Sequence, residues 1–204
     1  MTVIDVLDPS EGKRERSKAA NRQAILTAAR RVFADLGYDA TTVRDIIRGT
    51  ELASGTFYNY FKSKEEVFEA LQDDSAHRFR GLLQAQCARA RTFEEFVRRT
   101  LDAYFHFLAD EKANGRILQR PDAPFTHRVD TPEMKAIFRE VRSEIERTLG
   151  RGMAPGVDAD YLAAASIGIA REVGERMMLR QTDDVEYASA FCANLILGGV
   201  RAHA

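Results

Sequence analysis

Residues 41–64 read TTVRDIIRGTELASGTFYNYFKSK. Thr42 followed three residues later by Asp45 makes a capping-box-like start for a short helix to about Arg48, and a second short helix covers about Ser54 to Tyr60. Ile46, Leu52, Phe57 and Phe61 are placed to form a small core that sets the angle between the two. Polar side chains project from the start of the second helix. Two short helices joined by a few residues at a charge-rich place are the arrangement that lays the second one in a DNA major groove.

The surrounding charge agrees with that reading. The whole chain of 204 residues has a net charge of −1, but residues 13–64 hold eleven Lys/Arg against five Asp/Glu, a local +6, while residues 65–204 sum to −4. A basic module on an acidic body suits a protein that sets one end on a polyanion. At 45% hydrophobic and 30% charged, the composition is that of an ordinary globular chain. No apolar run reaches the roughly 20 residues that cross a bilayer. The opening residues, MTVIDVLDPSEGKRERSK, carry acids where an export signal needs an apolar run. Cys87 and Cys192 stand alone, which argues against a disulfide framework or a metal site. The expectation is a cytoplasmic protein with no cofactor and no metal.

Read outward, nearly everything is helix, and the expected class is all-α with about nine helices. Residues 1–17 are expected as a flexible tail, 18–64 as the helix-turn-helix domain and 65–204 as a helical second domain. A first helix from about Lys18 to Leu36 carries Ile25, Ala29, Val32, Phe33 and Leu36 in steps of three and four, and Gly37 stops it. Ser63 and Glu66 open a long fourth helix. Thr92 with Glu95, then Thr131-Pro132-Glu133, open two more. Asp158 and Asp183 begin the last pair. His77, His106, His127 and His203 have no metal-ligand spacing, and no nucleophile elbow or Gly-rich phosphate loop occurs, so an enzyme is not expected.

The stretch resembles the TetR family of one-component bacterial regulators. That signature ends in G-T-x-Y-x-[YH]-F-x-[SN]-K, which Gly55 to Lys64 matches at every fixed position. The preceding A-x-x-x-F-x-x-x-G-[YF]-x-x-[TS]-[TS] is matched by Ala29, Phe33, Gly37, Tyr38, Thr41 and Thr42. Three positions depart from the usual pattern: Ile47 stands in place of Ala, Glu51 in place of the turn Gly, and Ala53 in place of the N-cap Ser. Glu51 must therefore accept a positive φ or reshape the turn.

The resemblance implies a dimeric DNA-binding regulator, most readily a repressor released from a palindromic operator by a small, largely apolar ligand. It implies phosphate contacts at Thr42, Tyr58, Tyr60 and Lys64, with base-edge approach at Arg44, Ser54, Gly55, Thr56 and Asn59; Lys62 joins this DNA-binding set. Arg14, Arg16 and Lys18 offer an arm along the DNA backbone, or a solvated tail. The resemblance also implies a bundle of four helices between two subunits, built from the two last helices, with Ala165, Ile169, Val173, Met177, Phe191, Leu195 and Ile196 along the seam. The same residues also suit an intramolecular core. Middle helices are implied to enclose the ligand, with Tyr104, Phe105, Phe107, Phe125 and Phe138 as an aromatic lining, although such a stripe is also ordinary core. Arg116, Arg120, His127 and Arg128 are offered to an anionic head group. Ligand binding is then expected to shift the fourth helix. An activator or a ligand-independent regulator of the same fold stays open, as does a helical protein-interaction dimer.

Overall fold

Helix starts in this chain are set by side chains that accept from freed backbone N–H groups. Thr42 Oγ1 accepts from Asp45 N (3.3 Å), Thr92 Oγ1 from Glu95 N (3.1 Å) and Thr131 Oγ1 from Met134 N (3.2 Å). Asp158 Oδ1 accepts from Asp160 N and Tyr161 N. Each cap fills donors that a helix leaves unpaired in its first turn. The computed structural model describes residues 9–114, 131–150, 156–180 and 184–203, with side chains from residue 14 onward. Among them are eight helices and no strand: α1 Pro9–Leu36, α2 Val43–Arg48, α3 Ser54–Tyr58, α4 Lys64–Cys87, α5 Phe93–Ala113, α6 Pro132–Leu149, α7 Ala159–Leu179 and α8 Val185–Arg201. The all-α class stands, with eight helices described where about nine were expected.

The first correction concerns α1. It begins at Pro9 and not near Lys18, so residues 9–17, expected as part of a mobile tail, are helical. Proline is well placed in a first turn, where its missing N–H costs nothing, and the Lys, Arg and Glu that follow are good helix formers. This stretch carries no apolar period, which is why a periodicity reading starts the helix too late. α3 is also shorter than expected, closing at Tyr58 with Asn59 as its cap.

The chain divides into two compact units inside α4, between Leu71 and Gln72. The first unit is built on Ile25, Leu26, Ala29 and Phe33 of α1, with Ile46 of α2, Phe57 of α3, Phe61, and Val67, Phe68 and Leu71 of α4. Tyr38 closes this core, its ring 5.5 Å from that of Phe33 and 4.8 Å from that of Phe68. Gly37 takes φ +78°, the left-handed stop that the sequence marks there.

In the second unit α5 packs on α8 and α6 on α7. Phe93, Phe96, Val97, Leu101 and Phe105 meet Ile137, Val141, Ile145 and Leu149, with Cys192, Ala193, Ile196 and Leu197 from α8. Gly174 lets α7 come close to α5: a Cβ there would lie 2.6 Å from Leu108 Cδ1. The polar part of this unit is tied to α4. Arg78 pairs with Asp74 and with the buried Glu111, which also accepts from Ser75 Oγ (3.2 Å). Arg80 donates to Glu140 (2.7 Å) and Glu133 (3.1 Å) of α6. The acidic pairs Asp73-Asp74 and Glu94-Glu95 are thus structural: Asp73 accepts from Glu133 N, and Glu94 pairs with Arg98 and Arg201.

Ile46 has no exposed surface and pins α2 into the first unit. Ile46→Ala is expected to lower the stability of that unit by about 2–5 kcal/mol through lost burial and the cavity left behind. The half-buried Ile47, changed to Ala, is expected to cost less. Urea denaturation of the two variants, followed by circular dichroism, checks the order.

Candidate nucleic-acid interface

α2 carries its apolar residues inward and its polar ones outward. Ile46 is buried, Ile47 is half-buried against the first core, and Arg44 and Arg48 are exposed. α3 does the same: Phe57 is buried, Thr56 half-buried, and Ser54, Gly55 and Tyr58 are exposed, Tyr58 at 57%. Beyond α3, Asn59 and Lys62 are exposed, Tyr60 is half-buried and Phe61 returns to the core. Every residue expected at DNA from Arg44 to Lys62 therefore lies at least partly in solvent.

The turn that holds the two helices is made without the usual glycine conformation. No described residue other than glycine has a positive φ, so Glu51 adopts an ordinary backbone and the turn is reshaped around it. Thr50 does the shaping: its Oγ1 donates to Ile47 O (2.8 Å) and accepts from Leu52 N (3.2 Å). Such hydroxyl–backbone bonds substitute for a helical or turn partner. Gly49 supplies close approach. A Cβ on it would come 3.2 Å from Ala28 Cβ, and Arg31 of α1 donates to its carbonyl (3.2 Å). Ile47 is accommodated at the edge of the core. Ala53 leaves α3 with no side-chain cap, and Ser54 does not take that role.

Two expected phosphate ligands are otherwise engaged. Lys64 Nζ donates to the carbonyls of Tyr38 (2.9 Å), Asp39 (3.1 Å) and Thr41 (2.9 Å), and sits 4.6 Å from the centre of the Tyr38 ring. An ammonium has three donors, and all three are used. Lys64, expected as a phosphate contact, here clamps the α1–α2 loop. The Thr42 hydroxyl and N–H both bond Asp45 Oδ2 (2.5 and 3.0 Å), which holds the Asp45 carboxyl below its usual pKa. Thr42 is exposed but already bonded. Periodicity and local motifs carry no signal for the Lys64 contacts, because its partners lie 23 to 26 residues away. Arg22, whose guanidinium lies 5.5 Å from the Phe61 ring centre, and Arg31 were equally unforeseen parts of this unit.

Gly55 carries the functional argument. Its φ is not positive, and a Cβ built on it meets nothing within 4 Å. Glycine inside a helix costs roughly 0.5–1 kcal/mol relative to alanine. No neighbour in the described structure requires a glycine here.

The sites expected in the second unit divide differently. Phe105, expected as lining, is fully buried in the core. Tyr104 meets the Phe79 ring edge-on at 5.2 Å, and burial pushes its phenol up to about 12. Phe107 lies 5.6 Å from Phe79, and Phe138 packs half-buried on the same core. Phe125, Arg116, Arg120, His127 and Arg128 lie outside the described residues. Of the seam residues, Met177 and Ile196 lie in the chain's own core, at 3% and 5% exposure. Ile169 and Val173 are half-buried, and Ala165 is exposed. Phe191 and Leu195 are exposed with Tyr187, and these three line a groove on α8 with Ala190 and Asn194. Step-counting along a helix finds an apolar face but cannot say which of its two edges the chain itself covers.

Two outcomes follow from this geometry. Gly55→Ala is expected to raise the melting temperature slightly, consistent with a gain of about 0.5–1 kcal/mol, while weakening DNA binding in a gel-shift titration; unchanged binding would remove the argument for close approach. Lys64→Met keeps the aliphatic stem and is expected to lower the melting temperature, by loss of three charge-assisted bonds, with no change in the salt dependence of DNA binding beyond that of unfolding.

Residues 25–71 match the sequence profile of the bacterial regulatory proteins of the tetR family. The HTH-type transcriptional repressor KstR2 of Mycolicibacterium smegmatis is 45% identical over 56 residues, 28% of this chain and 27% of that protein. The uncharacterised HTH-type transcriptional regulator YhgD of Bacillus subtilis is 26% identical over 145 residues, 70% of this chain and 76% of its own length. Among solved structures, the transcriptional regulator FadR from Bacillus subtilis, in complex with stearoyl-CoA, shares the fold with a TM-score of 0.68 at 21% identity, covering 87% of this chain and 98% of that one. Residues 25–71 thus carry a helix-turn-helix of the tetR type, and the described helices share their fold with solved regulators of that family.

Proposed function

We propose that the chain works as a homodimeric repressor that holds a palindromic operator and releases it when a small, largely apolar ligand binds the second unit. The observation that carries the DNA-binding part is Gly55, a helical glycine with open space around it, among the exposed Arg44, Ser54, Tyr58 and Asn59. Arg44 has the fork geometry to grip guanine O6 and N7, worth roughly 1–3 kcal/mol of base discrimination. The groups offered to the DNA backbone are the exposed Tyr58 and Lys62 and the half-buried Tyr60, with Thr42 contributing only if its capping bonds are shared. A relative over this domain, KstR2, is named a repressor, which supports repression over activation.

Dimerisation is supported by α8. Tyr187, Phe191 and Leu195 recur every four residues on one face, are 60%, 47% and 51% exposed, and the first two rings stack at 6.3 Å. A contiguous apolar face of this kind marks an interaction surface. A symmetric dimer presents two recognition helices to half-sites about 34–36 Å apart, which is why the operator is expected to be palindromic. The ligand reading rests on the aromatic interior around Phe79, Tyr104, Phe107 and Phe138. A similar fold holds stearoyl-CoA, so that thioester is the first probe. This activity places the chain in the cytoplasm.

The test is a duplex selected from random-sequence DNA by the full-length protein. The expected result is saturable binding to an inverted repeat, falling by about 10³–10⁵ between 50 and 200 mM salt if six to ten phosphates are held. Leu195→Asp is expected to give a monomer in sedimentation and to lose the preference for paired half-sites. Stearoyl-CoA is expected to release the duplex. No enriched sequence and no salt dependence would sink the regulator reading; binding that no acyl-CoA affects would sink the acyl-CoA choice alone.

A further inference from the structure

The first turns of α1 are unusual for what they lack. Residues 14–20 are all exposed, so no described element covers them. Yet Arg14, Lys18 and Arg22 stand four residues apart and fall in line with Ile25, Ala29 and Phe33, which are 0%, 0% and 4% exposed in the first core. At 3.6 residues per turn, the steps of four, four, three, four and four keep all six on one face. The stripe that packs α1 onto the helix-turn-helix therefore continues past it as a stripe of cations. Arg22 marks the crossover: its guanidinium lies over the ring of Phe61, between Tyr60 and Lys62. Arg14 and Lys18 overhang beyond that point by about 12 Å and 6 Å of helix.

Such a stripe works against the helix that bears it. Like charges four residues apart repel, and cations near a helix N-terminus oppose its dipole. Burial gives nothing back here, since these residues touch no core. Glu15 stands on the edge of the same face and offsets only part of the charge. The polyanion already assigned to this unit carries the charge that would offset the rest.

We propose that the overhanging turns of α1 are a second DNA-contacting element, in which Arg14 and Lys18 hold backbone phosphates flanking the bases read by α3. This rests on the DNA-binding reading above. Contacts of this kind seat a protein without reading sequence. They make the contact surface longer than the helix-turn-helix alone and demand flanking duplex of any sequence.

The test compares the parent protein with Arg14→Gln/Lys18→Gln and with Glu15→Gln, on the duplex selected by the parent and on a random duplex of equal length. The double variant is expected to bind both duplexes more weakly by the same factor. Its salt dependence is expected to fall by about 0.9 in log–log slope per phosphate contact removed, roughly 3.6 for the four lost by a dimer. Glu15→Gln is expected to shift affinity the opposite way on both. Trimming the selected duplex to its half-sites is expected to erase the difference between parent and double variant. The double variant is expected to melt at or slightly above the parent's temperature, because these side chains pack on nothing and their repulsion is removed, so weaker binding is not a loss of fold. If the parent binds and the double variant matches it in affinity and slope, the arm is refuted while the regulator reading stands. A loss confined to the selected duplex also refutes it, since that is base readout. If the parent itself shows no salt-dependent binding, the regulator reading has failed instead.

Discussion

The ammonium of Lys64 holds the first unit in the form its surface requires. The loop after α1 turns back at Gly37 and must leave the carbonyls of Tyr38, Asp39 and Thr41 somewhere, close to a core from which water is excluded. One cation at the start of α4 takes all three, and the Tyr38 ring lies against it. This fixes where α2 begins, because Thr41 leads directly into the Thr42 cap. It also fixes α4 against α1, because Tyr38 packs between Phe33 and Phe68 and its hydroxyl bonds Glu65 (3.0 Å). A charge placed among carbonyls and an aromatic face is held more strongly than an exposed ion pair, since the geometry leaves little for water to compete for.

With that corner fixed, the rest of the unit is a problem of two short helices too small to be stable alone. α2 and α3 have six and five residues, well below the length at which a helix persists in water. Their angle comes from Ile46 and Phe57 in the common core and from a turn made rigid by Thr50 and by the Arg31 bond to Gly49. Every device that holds α3 acts on its inner side or on its approach. The outer side is left with short polar side chains, a glycine and an uncapped first turn.

Much of this was legible in the sequence because it is local. Thr42, Thr92, Thr131 and Asp158 cap the helices they were expected to cap, since a cap needs only residues a few positions apart. The apolar stripes on α1, α4, α5 and α6 were legible for the same reason. What escaped reading is long-range or depends on a competitor. Lys64 matches a motif that suggests a phosphate, and only the fold reveals that nearer carbonyls claim it. The start of α1 escaped because charged residues of high helix propensity leave no periodic trace. Met177 and Ile196 share helices with exposed neighbours, and which edge of such a helix the chain covers is decided by α5, far away in sequence.

Most positions in this chain agree with their local structure, and four groups of exceptions fall on the two faces proposed above to bind a partner. Gly55 lies in a helix with no neighbour that requires it. Ala53 caps nothing. Arg14 and Lys18 repel one another on an uncovered helix, and Tyr187, Phe191 and Leu195 leave aromatic and aliphatic surface in water. Each violates a different rule of stability: backbone entropy, helix capping, charge and burial. Sequences that fold well break such rules where function demands it. Three of the four sites belong to the basic unit, and each is relieved by the same kind of neighbour, a close-fitting polyanion. The fourth is relieved by an apolar partner of its own shape. At these four places the uncompensated cost is one that a second molecule is able to compensate, which is what a binding surface requires.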